Sequence, residues 1–308
     1  MVRMESTVNG VVFSNPVLTA AGPNVGTASK LREAVEGGAG GIVTKTVSVV
    51  PAKDPRPTIR KGPYGGLLNC ETWAEIPVEE YIDAYREVKE SGVPLVLSIG
   101  YSPEDVRTLG AMLEKEVRPD IIEFSTHYTG KSLDPLLEVA KSLRSAVSVP
   151  VWMKISPNTP DIEELAVRAS EFVDGFVAIN SYGPALDFDV ESCKPALGSS
   201  YGQGWLSGSP ILPIALRIVY QIASVQSKPV IGVGGVSTGT DALKFLMAGA
   251  SLVQICSAAI QHGSGVYGKV AAEMEEWLAS RNYSSVEEIR GMYQKNVAAR
   301  NAQRGTGK

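Results

Sequence analysis

Residues 232–260 read GVGGVSTGTDALKFLMAGASLVQICSAAI. Two short Val/Ile-rich runs here each end in small residues, and an amphipathic stretch lies between them. Periodicity switches from two to about 3.6 and back, which is the pattern of a βαβ unit. The intervening helical segment opens with a Thr suited to an N-cap. Gly234 and Gly235 close the first run, and Ser257 and Ala258 follow the second. Glycines at such a junction let backbone N–H groups approach a ligand, and a helix opening at CSAAI favours a phosphate at its positive end. Glycines that merely permit tight turns are the plainer alternative.

Working outward, the same alternation recurs. PVLTAAG (16–22), GIVTKTV (41–47), PLVLSIG (94–100), DIIEFS (120–125), PVWMKISP (150–157) and GFVAINS (175–181) precede PVIGVGG (229–235) and SLVQICS (251–257), giving eight expected strands separated by helical segments. That count predicts an α/β fold, a (β/α)8 TIM barrel, with a phosphate site after its last two strands. A doubly wound open sheet is the alternative, but it calls for G-x-G-x-x-G after the first strand, and AAGPNVG is a poor match. One domain over 1–308 is expected, with only the tail from residue 298 fraying. Two connections are long and rich in Gly and Pro, residues 48–76 after the second strand and 183–209 after the sixth. On a barrel both rise from the C-terminal face, where active sites form.

The chain has 308 residues, is 44% hydrophobic and carries a formal charge of −4. Disorder is excluded by the apolar content, and a nucleic acid or anionic membrane partner is disfavoured by the charge. Neither a signal peptide nor a membrane span is evident, so a cytoplasmic protein is expected. Cys70, Cys193 and Cys256 lie far apart without a C-x-x-C, which predicts structural thiols, no disulfide framework and no metal site. Strand ends place two lysines, Lys45 and Lys154, in the barrel mouth. Buried ammonium groups there require an electron-rich partner.

NPVLTAAG, GGIVTKTVS, GLLN, GWLSGSPILPIALR and VIGVGGVSTGTDALKFLMAGASLVQICSA together resemble the cytosolic class of dihydroorotate dehydrogenases. They are still more similar to the flavin domain of dihydropyrimidine dehydrogenases. The resemblance implies an FMN barrel, commonly a homodimer, that moves hydride between flavin N5 and a ring C–C bond. It implies that Ala20, Ala21 and Gly22 line the flavin, that Lys45 lies near flavin and substrate, and that Lys154 serves the flavin's pyrimidine edge. Gly208, Gly234, Gly235, Ser257 and Ala258 would surround the phosphate. Asn69, Ser125, Asn180 and Ser181 would bind substrate.

One strip departs from the family. Its fourth strand normally continues E-L-N-x-S-C-P-N, with Asn residues holding the pyrimidine and Cys taking a proton. Here residues 123–130 read EFSTHYTG. Aligned on Glu123, Ser125 replaces the first Asn and Tyr128 the Cys, with His127 just before it. His127, with an ordinary pKa of about 6.5, or Tyr128, at about 10, is expected to replace the acid or base, and Lys45 completes the catalytic set. A substrate other than dihydroorotate is therefore expected. Two alternatives remain: a flavin-binding subunit that only passes electrons to a partner protein, and a flavin-free barrel using Lys154 as an aldolase Schiff base.

Overall fold

The computed structural model describes residues 2–125 and 130–305. In chain order its strands are β1 (Ser6–Val8), β2 (Val11–Phe13), β3 (Val17–Thr19), β4 (Ile42–Val43), β5 (Ile59–Lys61), β6 (Leu67–Asn69) and β7 (Leu95–Ile99). They continue as β8 (Ile121–Ser125), β9 (Val151–Ile155), β10 (Gly175–Ala178), β11 (Tyr182–Leu186), β12 (Gln203–Ser207), β13 (Val230–Val233) and β14 (Leu252–Ile255). Eight of these form one parallel sheet in the order β3-β14-β13-β10-β9-β8-β7-β4. They are the eight runs expected from the sequence. Short ladders join each neighbour, and β3 returns to β4 through a bridge between Leu18 and Gly41. Thr19 helps close this seam, its hydroxyl donating to the Val43 carbonyl at 2.8 Å and accepting from the Val43 N–H at 2.7 Å. The result is an α/β barrel ringed by helices.

Alternation along each strand sets two cores. Leu18, Val43, Val96, Ile121, Trp152, Val177, Ile231 and Leu252 fill the barrel interior, while the residues between them pack outward against the helices. Burying one such side chain contributes about 1.5–3 kcal/mol. The hairpin β1–β2 closes the lower end: Phe13 stacks on Trp152, and the Trp152 indole donates to Asn9 at 2.8 Å. Helix starts follow the expected chemistry, with capping boxes at Ser102 and Thr238 and an Asp161 side-chain cap.

The two long connections rise from the C-terminal ends of barrel strands, as expected, and are partly ordered. Each carries a pair of short strands, and the four form an antiparallel sheet, β11-β12-β6-β5, above the C-terminal face. The described part of the tail lies within the helix Met292–Gly305, as its run of Ala, Gln and Arg favours.

Candidate active site

One layer above the apolar interior, the strands turn polar. On β8 the inward series runs Ile121, Glu123, Ser125; on β9 it runs Trp152, Lys154; on β14 it runs Leu252, Gln254, Cys256. Glu123 and Lys154 are buried, and Gln254 is 1% exposed. Lys154 Nζ lies 3.6 Å from Glu123 Oε1, and Gln254 Nε2 donates to Glu123 Oε2 at 2.8 Å.

This layer floors a cavity of about 990 Å3 between the barrel mouth and the antiparallel sheet. That is at the upper limit for a small-molecule site, roughly 300–1,000 Å3, and gives room for a cofactor beside a substrate. Of the residues expected in the site, Ala20, Ala21, Gly22, Lys45, Asn69, Lys154, Asn180, Ser181, Gly208, Gly234, Gly235, Ser257 and Ala258 all line it. Ser125 stands behind the wall, its hydroxyl accepting from Asn180 Nδ2 at 3.1 Å. His127 and Tyr128 lie outside the described residues.

At one end the walls are backbone. Gly208, Gly234 and Gly235 have φ of +88°, +135° and +82°, the region in which L side chains are strained. A Cβ on Gly235 would stand 2.7 Å from the Gly208 carbonyl. Ser207 and Ser257 hydroxyls meet here at 3.0 Å. The helix Ser257–His262 is a single turn and a half, so glycine backbone and hydroxyls, more than a helix dipole, shape this cradle.

The other end is charged. Lys45 Nζ pairs with Glu71 Oε2 at 3.0 Å, with side-chain exposures of 10% and 19%. Asn69, two residues before Glu71, pairs with Trp205 across β6 and β12 and donates to its carbonyl at 3.3 Å. Glu71 and Gln254 were not singled out in the sequence. The signal for Glu71 was its spacing of two from Asn69, which keeps both on one side of an extended chain. Cys256 is on the wall with its thiol pushed up to about 11 by burial, against the pull of Lys154 and Lys45.

A sequence profile of the family described as dihydroorotate dehydrogenase matches residues 3–278. The chain belongs to the dihydroorotate dehydrogenase family. Similar relatives include the proteins named dihydroorotate dehydrogenase B (NAD(+)), catalytic subunit, of Pyrococcus abyssi, 35% identical over 94% of this chain and 98% of the relative. The proteins of the same name from Pyrococcus furiosus, 36% identical over 93% and 97%, and Methanothermobacter thermautotrophicus, 34% identical over 94% and 98%, are comparable. Membership makes the chain an oxidoreductase acting on CH–CH groups and sets the aldolase reading aside. Among the described residues, no helix is long and apolar enough to cross a membrane.

Proposed function

We propose that the protein is an FMN-dependent oxidoreductase of this family whose substrate is a neutral cyclic or conjugated carbonyl compound in place of dihydroorotate. One observation carries the reading: a single cavity joins a glycine cradle to a polar end where Lys45 is already neutralised by Glu71.

The residues present fit FMN. The Gly208, Gly234 and Gly235 backbone with Ser207 and Ser257 suits a terminal phosphate, and Ala20, Ala21 and Gly22 offer a small-residue wall for a planar ring. Lys154 offers an ammonium to an electron-rich ring edge. When bound, FMN supplies a two-electron acceptor or donor at N5 for hydride exchanged with a C–C bond.

Asn69, Asn180 and Ser181 present amide and hydroxyl groups suited to ring C=O and N–H groups, with Ser125 orienting Asn180. Glu71 disfavours a substrate carboxylate beside Lys45. His127 or Tyr128 is assigned the proton transfer, with Lys45 completing the catalytic group. Exposed Leu186, Phe188, Val190 and Tyr201 around the antiparallel sheet support assembly as a homodimer. The relatives' designation as catalytic subunits supports a separate partner subunit, to which this reading assigns electron transfer.

The test is anaerobic. The purified protein should be yellow and release FMN on heating. After photoreduction, uracil or an enoyl carbonyl should reoxidise it faster than orotate. Absence of flavin, or rapid reoxidation by orotate alone, would overturn the reading.

A further inference from the structure

The mechanism above uses Lys154 but not the carboxylate beneath it. Glu123 is fully buried and does not line the cavity, so it touches no ligand there. The layer immediately below, at Ile121, Trp152 and Leu252, is apolar and well packed. A buried ion pair adds little stability over apolar groups of the same volume, so packing gives no reason for a carboxylate at this height.

Its contacts suggest one. A carboxylate only accepts hydrogen bonds, so Gln254 must turn its Nε2 toward Glu123 Oε2, as found at 2.8 Å. Glu123 Oε1 has no hydrogen-bond partner among the described residues, yet it lies 3.6 Å from Lys154 Nζ. That separation is too long for a hydrogen bond but short for two charges. Lys154 is thus held by charge while its N–H donors stay uncommitted to Glu123.

We propose that Glu123 is a positioning residue that holds the Lys154 ammonium toward the cavity and, by partly cancelling its charge, lowers the reduction potential of the flavin bound there. Gln254 fixes the carboxylate from the opposite side. The inference rests on the FMN reading given above. Reduction adds two electrons and increases negative charge on the ring, which an unopposed Lys154 would stabilise more strongly than the Glu123–Lys154 pair does.

The experiment measures the potential of the FMN-loaded protein by equilibration with a reference dye. Glu123→Gln, which keeps the shape and removes the charge, should favour reduced over oxidised flavin at least tenfold, a rise of about 30 mV for a two-electron couple. Lys154→Met should move the potential the other way. Glu123→Asp keeps the charge but withdraws it, and should give a smaller rise, providing the same readout if Glu123→Gln does not accumulate as folded protein. A flavin-free arm reads the pair itself. In the apoprotein, Lys154→Met should lower the melting temperature by leaving Glu123 uncompensated, and adding Glu123→Gln should recover part of the loss. An unchanged or lower potential in Glu123→Gln, or no recovery in the double variant, overturns the proposal. A protein that takes up no FMN overturns the flavin reading and this inference together, whereas FMN bound at an unchanged potential overturns only the inference.

Discussion

Lys45 Nζ and Glu71 Oε2 stand 3.0 Å apart at the charged end of the cavity, both largely withdrawn from solvent. One comes from the end of a barrel strand and the other from the chain just beyond β6, so the pair ties the antiparallel sheet to the barrel mouth. It also cancels the charge that an acidic ring substrate would seek.

Replacing Glu71 by Gln should therefore shift preference toward acidic substrates. Two unit charges about 4 Å apart, as a substrate carboxylate beside Glu71 would be, interact by about 4 kcal/mol at an effective dielectric of about 20. Even a third of that gives roughly tenfold. The ratio of kcat/KM for dihydroorotate to that for dihydrouracil should rise about tenfold or more in Glu71→Gln. An unchanged ratio would remove Glu71 from substrate selection.

Gly235→Ala should weaken FMN binding at least about tenfold, because a Cβ there would press on the Gly208 carbonyl as well as strain the backbone. Gly263→Ala is the control. Its φ is also +82°, but nothing lies within 4 Å of the added methyl group, so it carries the backbone cost without filling the cradle. Flavin fluorescence quenching on titration into the apoproteins separates the two. Equal affinities in the two variants would show that filling the cradle at Gly235 does not affect FMN binding.

His127→Gln or Tyr128→Phe should slow substrate-driven reoxidation of the reduced protein by about 10²–10⁴, the ordinary contribution of a general acid. Single-turnover stopped-flow traces distinguish the two residues. If both variants reoxidise at the parent rate, the proton comes from elsewhere.

Glu114, on the helix Pro103–Val117, ties that helix to the turn before β9 by accepting from the Ser148 and Val149 N–H groups at 2.9 and 3.0 Å. Burial pushes its carboxyl up, but the Ser148 hydroxyl, these N–H groups and the Arg144 charge outweigh it and leave the group below its ordinary 4.5. A carboxylate depressed on folding contributes stability above its unfolded pKa and loses it as pH falls through the folded one. Glu114→Gln should melt about 2 °C lower at pH 7, with the gap narrowing in acid below pH 4.5. A gap independent of pH would place the effect in packing.

The barrel was legible because its strands are continuous apolar runs, buried on both faces, with glycine and serine where they stop. The cradle residues were legible for the same reason, as strand ends fix their place. The antiparallel sheet was not: β5 and β6 are three residues each, and Asn69 meets Trp205 only through a pairing 136 residues apart. Glu123 was visible as an alignment anchor, but its role needed the inward register that sets it beside Lys154. Glu71 became meaningful only once Lys45 was placed opposite it.

The seam between β3 and β4 has a consequence in time. Every other pair of neighbouring barrel strands shares a ladder, while this one has a single bridge, two main-chain hydrogen bonds, from Gly40 N–H to the Val17 carbonyl at 2.8 Å and from Thr19 N–H to the Gly41 carbonyl at 3.2 Å, and the Thr19 hydroxyl. Ala20, Ala21 and Gly22 follow directly and form part of the cavity wall. Local opening begins where the fewest backbone bonds must break. The barrel is therefore set to breathe first along the edge of its own binding site, leaving the opposite strands, β8 to β10, as the slow-exchanging half of the molecule.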